Sequence, residues 1–205
     1  MGLDEELADF YGRSGFGPVV GSRPRMVPVF TGCMLVPLPN IEVRHRYLKY
    51  HDLHHLITGY SVGRIGEGEV SAWELGTGSV FVSPTLGVMN LIALSTGLVL
   101  KPKRMWMAFG SGCASRNLYP ARVRTSVDQG HWRDLADLRA TFLHGRKKRL
   151  PMPVRAIEFA GYSIAAMIIH CLIAIPAVVV RLITDIALGY SFFQAGKPRR
   201  RTDLY

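Results

Sequence analysis

Acidic residues are scarce in this 205-residue chain, which has 15 Asp and Glu against 25 Lys and Arg and a formal net charge of +10. A charge of this sign is typical of proteins that bind nucleic acid or an anionic membrane surface. Hydrophobic residues make up 48% of the chain, and the mean hydropathy is +0.16. Because this apolar content is high for a soluble protein, the composition favours the membrane as partner and argues against nucleic acid.

Cysteines are also few, and no Cys-x-x-Cys pair occurs among Cys33, Cys113 and Cys171. Scattered cysteines predict no disulfide framework and fit a reducing compartment. The first ten residues, MGLDEELADF, lack the basic residues that a cleaved targeting signal requires. We therefore expect no cleaved presequence and no disulfide bonds.

Strand-like alternation is weak, no internal repeat occurs, and the length suits one domain. We predict an all-α fold: a mostly helical single domain over residues 1–150, followed by a membrane-associated apolar region with a basic tail over residues 151–205. Residues 12–40 are rich in Gly and Pro and predict an irregular arm. Helices are predicted at 41–59, 67–75, 85–100, 105–117 and 129–144, with Gly59 ending the first and Gly76 and Gly78 ending the second.

The C-terminal quarter contains a 22-residue run without Lys, Arg, Asp or Glu, FAGYSIAAMIIHCLIAIPAVVV (159–180). A helix of that length reaches about 33 Å, enough to cross a bilayer core. Both flanks are basic, HGRKKR at 144–149 and KPRRR at 197–201. Since basic flanks on both sides disfavour a simple span, we expect both on one leaflet, with the apolar run entering and returning or lying in the interface. The alternative is a buried core helix.

Three histidines lie within five residues, in HDLHH (51–55). On a helix, His51 and His55 share a face at the i, i+4 spacing with which some helices present two imidazoles to zinc. His54 projects about 100° from His55 and is expected off that face. Asp52 lies beside them, and Glu67 follows eleven residues after His55, at the start of the next predicted helix. A helical hairpin would bring Glu67 back towards His51, Asp52 and His55 to complete a metal site.

Two further readings of this segment stay open. Glu74, two turns beyond Glu67 on nearly the same face, is either a rival ligand or a carboxylate that orients a ligand. Without a metal, the histidines are a polar helix face. The sequence GRIGEG (63–68) follows a helix instead of a strand, which argues against a phosphate-binding loop.

The motif resembles the HDxxH-x11-E signature of the coenzyme Q biosynthesis protein four family, carried here by His51, Asp52, His55 and Glu67. Leu56-x-Thr58-Gly59 and Trp73-Glu74 fit the same block. The resemblance extends over about residues 26–140, with weaker matches around 108–114 and 132–139, and is specific over 47–78. The long apolar C-terminus departs from the usual ending of that family.

The resemblance implies an all-α protein of ubiquinone biosynthesis that catalyses oxidative decarboxylation and hydroxylation at ring carbon one of a polyprenylated hydroxybenzoate-type intermediate. It implies that the four signature residues bind a divalent cation and are the catalytic residues. Zinc is the first expectation, with iron, manganese and cobalt left open by a mixed nitrogen and oxygen ligand set. The implied partners are the polyprenylated quinone precursor, membrane lipids and other quinone-biosynthesis enzymes, with a homo-oligomer left open. We expect attachment at the cytoplasmic face of a bacterial inner membrane.

Other functions remain to be weighed. A non-catalytic polyprenyl-lipid-binding scaffold that organises quinone-biosynthesis enzymes is the main alternative. A membrane peptidase is disfavoured because Asp52 stands where such enzymes carry a glutamate base. The apolar helix at 85–100 and the small residues GSGCAS (110–115) either line a groove for a prenyl tail or serve ordinary helix packing. The basic pairs around 23–25 and 44–46 are interpreted as solvated or headgroup-facing charge.

Overall fold

The computed structural model describes residues 2–14, 25–31, 34–143 and 150–189. Over these residues the chain is mostly helical, as predicted, with one short β hairpin. In chain order the elements are α1 (Leu3–Ser14), β1 (Met26–Thr31), β2 (Met34–Pro39), α2 (Glu42–Thr58), α3 (Arg64–Thr77), a 3-10 turn (Ser79–Phe81), α4 (Pro84–Leu100), α5 (Pro102–Cys113), α6 (Ala121–Asp128), α7 (Leu135–Phe142) and α8 (Met152–Ala187).

The arm predicted to be irregular contains ordered structure at both ends. Strands β1 and β2 pair antiparallel, from Met26 opposite Pro39 to Thr31 opposite Met34. The strand prolines weaken the strand signal of the sequence, and they are tolerated because a two-stranded ribbon leaves each strand one free edge. Helix α1 was not predicted, although the three acidic residues in its first turn complement the helix dipole.

Two predicted helix ends are wrong. The helix predicted at 129–144 begins only at Leu135, as α7, because Gly130 adopts φ 69° after α6 and Asp134 caps α7 by accepting from the Asp137 backbone N–H at 2.9 Å. Helix α6 was not predicted. The helix predicted to reach residue 117 ends at Cys113. By contrast, α2 ends at Gly59, as predicted, with φ 77°.

Gly76 does not end α3; the helix continues to Thr77, and Gly78 at φ 91° is the residue that ends it. The reason is a close approach of two backbones. A Cβ atom on Gly76 would lie 2.3 Å from the carbonyl oxygen of Phe109, and one on Gly112 would lie 2.0 Å from the carbonyl oxygen of Trp73. Glycine at these two positions therefore lets α3 and α5 pack backbone against backbone.

Helix α3 is the centre of the domain and packs along both α4 and α5. Trp73 on α3 and Phe109 on α5 are fully buried in this core. An ion pair joins the same two helices: Arg104 Nε and Nη2 donate to the two oxygens of the Glu69 carboxylate at 2.7 and 2.6 Å. The small residue at position 112 thus serves helix packing, which is one of the two interpretations given above for residues 110–115.

Helix α8 is a single 36-residue helix, about 54 Å long. It packs against α4 and touches α5 and the hairpin. Only 11% of its most apolar 18-residue window is buried, and that window has a mean hydropathy of 2.5. The buried-core interpretation is therefore wrong, and so is an apolar run that enters and returns within these residues. By length and composition α8 can cross a membrane.

The outer face of α8 is a continuous apolar stripe. Its large side chains are 49–74% exposed, and they are Ile157, Ile164, Ile168, Leu172, Ile175, Val179 and Ile183. An exposed apolar surface of this length is typical of a face that meets lipid or a partner. The two basic flanks of the predicted one-sided arrangement, residues 144–149 and 197–201, lie outside the described residues.

The first prediction concerns the close packing of α3 and α5. Gly112→Ala is expected to destabilise the fold by about 1–3 kcal/mol or more, because the new methyl group overlaps a backbone oxygen that cannot move alone. Gly110→Ala, on the same helix with no atom within 4 Å of the added Cβ, is the matched control. It should be neutral or stabilising by about 0.5–1 kcal/mol. Thermal unfolding in detergent measures both, and equal stabilities would contradict the packing argument.

The second prediction concerns the apolar stripe of α8. The full chain should stay with membranes in high salt and be released by detergent, since apolar burial is not screened by ions. The triple change Ile164→Lys, Ile168→Lys, Leu172→Lys should release it, because each lysine costs about 2.5–3.5 kcal/mol near the centre of a membrane helix.

The control for this experiment places the same three charges on exposed positions of α6 and α7, as Ala121→Lys, Ala136→Lys and Ala140→Lys. These should leave membrane retention unchanged. Release of the unaltered protein by salt alone would show that α8 does not hold the protein in the membrane through its apolar face.

Candidate metal centre

Helices α2 and α3 form a hairpin joined by the short segment 59–63. The turn is tight, since a Cβ on Gly66 would lie 1.8 Å from the Ser61 carbonyl oxygen. The hairpin brings His51 and His55 of α2 beside Glu67 in the first turn of α3. One ligand atom from each of these three side chains lies within 4.8 Å of the other two, a set that can hold a metal ion.

The hydrogen bonds of the two imidazoles fix which nitrogen faces the centre. His55 Nδ1 lies 3.0 Å from the Tyr60 carbonyl oxygen, and a carbonyl only accepts, so Nδ1 carries the proton. His51 Nδ1 likewise lies 2.9 Å from Glu74 Oε1. In neutral imidazoles this leaves both Nε2 lone pairs aimed inwards.

Each Nε2 atom faces one oxygen of the same carboxylate. His51 Nε2 lies 3.3 Å from Glu67 Oε2, and His55 Nε2 lies 3.4 Å from Glu67 Oε1. His55 Nε2 is buried and makes no hydrogen bond to the described part of the chain. Two imidazole nitrogens and a carboxylate that face one another can be bridged by a proton or by a cation. A set of imidazole and carboxylate ligands suits zinc and other divalent transition metals.

The centre is open on one side. The side chain of Glu67 is 38% exposed and that of His51 is 20% exposed, whereas that of His55 is only 1% exposed. A cation bound by these three residues would therefore keep open coordination positions towards solvent. Open positions are typical of catalytic metal sites, whereas protein ligands fill all positions in structural sites.

Glu74 orients the ring of His51, which agrees with one of the two roles foreseen for it. It is fully buried, and its Oε1 accepts from His51 Nδ1 at 2.9 Å, from His54 Nδ1 at 2.7 Å and from the Tyr119 hydroxyl at 2.5 Å. Carboxylates in this position fix the ring of a metal-binding histidine and raise its basicity.

His54 is not part of the cation-binding group and has a different role. The Leu118 backbone N–H donates to His54 Nε2 at 2.9 Å, so Nε2 is unprotonated and Nδ1 must donate to Glu74. The ring is fully buried between Trp73 and Tyr119, with ring centroids 5.0 and 4.7 Å away. His54 thus anchors Glu74 from the interior of the domain.

Asp52, the fourth predicted ligand, lies outside the group of three. Its Oδ2 accepts from the Tyr11 hydroxyl of α1 at 3.0 Å. Phe10 stacks on the His55 ring with centroids 6.2 Å apart, so α1 covers this side of the centre. Asp52 stays a predicted ligand with one oxygen already engaged by Tyr11.

Burial and charge act in opposite directions on the ionisable groups. Burial lowers the pKa of His51, but the carboxylates of Glu74 and Glu67 outweigh it and raise that pKa well above the usual value. Burial raises the pKa values of Glu67 and Glu74, but the neighbouring imidazoles hold both well below the usual range. In the metal-free protein His51 therefore retains a proton, which a cation must displace, so metal affinity should fall as the pH falls.

The remaining shifts follow burial. It lowers the pKa of His54, against the attraction of Glu74. It raises the pKa of Asp52, against the attraction of His51 and the Tyr11 hydrogen bond. It raises the pKa of Tyr119 well above the usual value, and the charge of Glu74 raises it further. Tyr119 is consequently a donor that stays protonated at neutral pH.

Three contributors to the site were not found from the sequence. Tyr11 and Tyr119 come from segments 41 and 67 residues away from Asp52 along the chain, and no local spacing indicates them. Arg44 was interpreted as solvated charge, although it is half-buried on α2. Its spacing of seven residues before His51 is a signal that could have placed it on the same helix face.

No protein-family model, curated protein or solved structure matches the chain.

The third prediction concerns metal content. His51→Ala, His55→Ala and Glu67→Ala should each lose most of the bound divalent cation, because each removes one of three converging ligand atoms. His131→Ala, which removes an exposed histidine outside the group, is the control and should keep it. Elemental analysis of the purified proteins measures the content, and unchanged metal in all three variants would exclude this site.

The same experiment tests the role of Glu74. Glu74→Gln keeps the shape of the side chain but removes its charge, so it should weaken metal affinity about 10- to 100-fold without abolishing binding. Complete loss would assign Glu74 as a direct ligand, and an unchanged affinity would show that it does not orient His51.

Proposed function

We propose that this protein is a membrane-associated metalloenzyme of ubiquinone biosynthesis. Its substrate is a polyprenylated hydroxybenzoate-type acid, which it decarboxylates and hydroxylates at ring carbon one. The observation that carries the proposal is the convergence of the His51 and His55 Nε2 lone pairs on the Glu67 carboxylate, with an open side towards solvent. The spacing of these residues is the one that resembles the quinone-biosynthesis signature.

The reaction needs an external two-electron oxidant, for which we propose dioxygen. The acid, water and dioxygen would give the hydroxylated ring, carbon dioxide and hydrogen peroxide: the bond from the ring to the carboxyl carbon breaks, water supplies the hydroxyl oxygen, and dioxygen takes up the two electrons and two protons. Lewis acidity towards an oxygen of the ring acid is the chemistry that a divalent cation supplies when bound. Zinc, iron, manganese and cobalt are all compatible with these ligands.

The residues of the chain hold and shield the centre. Glu74 fixes the ring of His51, and the Tyr60 carbonyl fixes that of His55, so both lone pairs are set before a ligand arrives. Phe10 excludes water from the His55 side. The partly exposed carboxylate of Glu67 is left on the side from which a substrate can approach.

Membrane attachment supports a lipid-like substrate. A polyprenyl tail partitions into the bilayer, and the exposed apolar stripe of α8 gives the domain a surface suited to the same phase. Attachment at the cytoplasmic face of a bacterial inner membrane, and assembly with other quinone-biosynthesis enzymes, belong to the same proposal.

The second candidate function is a non-catalytic scaffold that binds polyprenyl lipid. One observation favours it: a cleft of about 470 Å³ lies at α6 and α7, lined in part by Asn117, Val123, Trp132 and Phe142, and includes none of the three metal-site residues. A lipid held there would be separate from the cation, as a scaffold would allow.

The fourth prediction separates the two functions. The full chain, metal-loaded in lipid nanodiscs and supplied with dioxygen, should release carbon dioxide from a carboxyl-labelled prenylated hydroxybenzoate and form the hydroxylated ring. His55→Ala and chelator treatment should abolish release, and His131→Ala should keep it. Binding of the prenylated acid without release under all four metals would instead support the scaffold. If the protein is the enzyme, cells from which its gene is deleted should accumulate an intermediate that still carries its carboxyl group.

A further inference from the structure

Arg44 lies on the face of α2 that carries the metal-binding histidines. It precedes His51 by seven residues and His55 by eleven, so in projection it lies within about 20° of both. Its side chain is half-buried. Burial lowers its pKa, and the carboxylates of Asp52 and Glu67 act against that effect. The guanidinium is therefore within electrostatic range of the centre.

The donors of Arg44 are largely unused. Its hydrogen bond is to Asn40 Oδ1, at a long 3.4 Å, and no carboxylate in the described ranges lies within ion-pair distance of it. Other arginines of the domain are engaged at short distance by carboxylates or backbone carbonyls; these are Arg104, Arg116, Arg124, Arg139 and Arg155. A partly desolvated guanidinium with five donors and one weak bond is a ready anion-binding group.

The charges around the centre limit what that anion can be. When ionised, Asp52, Glu67 and Glu74 carry three negative charges, and a divalent cation together with Arg44 carries three positive ones. A ligand with a single negative charge adds little repulsion to this balanced set, whereas a doubly charged phosphate adds more. A carboxylate also matches the planar fork of the guanidinium.

We propose that the guanidinium of Arg44 binds the carboxylate of an aromatic acid whose ring lies at the metal centre. The ligand class rests on the proposed function, and the residue rests on the geometry of α2. Arg44 thereby selects acids over neutral ring compounds and orients the acid towards the cation.

Equilibrium binding tests this assignment without turnover. The metal-loaded full chain in nanodiscs is titrated calorimetrically with 4-hydroxybenzoate and with its neutral amide, 4-hydroxybenzamide. Arg44→Gln should weaken binding of the acid about 10- to 100-fold, the loss expected for a charged hydrogen-bonded pair, and leave binding of the amide unchanged. Arg44→Lys keeps the charge but not the fork, so its loss should be smaller.

The matched control is Arg46→Gln, the same substitution at an exposed position of the same helix. In projection this residue is about 160° away from Arg44, and its loss should change neither affinity. Metal content and thermal unfolding of all variants are measured alongside. If Arg44→Gln does not fold, the comparison of Arg44→Lys with the unaltered protein carries the test.

The assignment would be overturned if the unaltered protein did not bind the acid, or if Arg44→Gln bound the acid as tightly as the unaltered protein. Where only Arg44→Lys folds, an unchanged affinity of that variant would overturn it too. Equal losses of affinity for the acid and the amide, or Arg44-dependent binding of phenyl phosphate that is tighter than that of the acid, would also contradict it. The outcome is independent of the reaction. If the protein turns over the prenylated acid but its affinity for the acid does not depend on Arg44, this role is wrong and the proposed function remains. Arg44-dependent binding without turnover would retain the role and remove the decarboxylation.

Discussion

One buried oxygen atom organises the centre: Oε1 of Glu74 accepts hydrogen bonds from His51, His54 and Tyr119. A buried carboxylate is costly unless its charge is compensated, and the three donors on Oε1 compensate it in part, while Oε2 is buried without a hydrogen bond to the described part of the chain. The bond to His51 sets which nitrogen that ring presents. The bonds to His54 and Tyr119 tie the carboxylate to the Leu118 segment and the aromatic core. The orientation of His51 is thus connected to packing well away from the cluster that it forms with His55 and Glu67.

The backbone approach of α3 and α5 provides the second support. Because glycines at positions 76 and 112 remove the side chains between the helices, α3 has no freedom to slide along α5. Glu67 and Glu74 both project from α3, one towards the opening and one into the core. The same rigid helix therefore sets the positions of a ligand and of the carboxylate that orients its partner.

Local patterns explain how much could be predicted. The i, i+4 histidines, the glycine stop at Gly59 and the downstream Glu67 are short-range features, and the structure brings His51, His55 and Glu67 together. The break between α6 and α7 follows the left-handed conformation of Gly130, and hydrophobic periodicity alone does not predict that conformation. Tyr11, Tyr119 and the packing role of Gly76 depend on contacts between distant segments, and no spacing in the sequence encodes them. Hydropathy identified the apolar run, but only packing shows that its outer face is uncovered.

The ligating residues span 17 positions, from His51 to Glu67, within one helical hairpin. Closing so short a loop costs little chain entropy, and contacts of low sequence separation form quickly. The ligand cluster can therefore assemble while translation is still under way, before α8 has left the ribosome. Tyr119 follows later in synthesis. Assembly of the cluster that could hold a cation is in this way separable from any membrane insertion of α8.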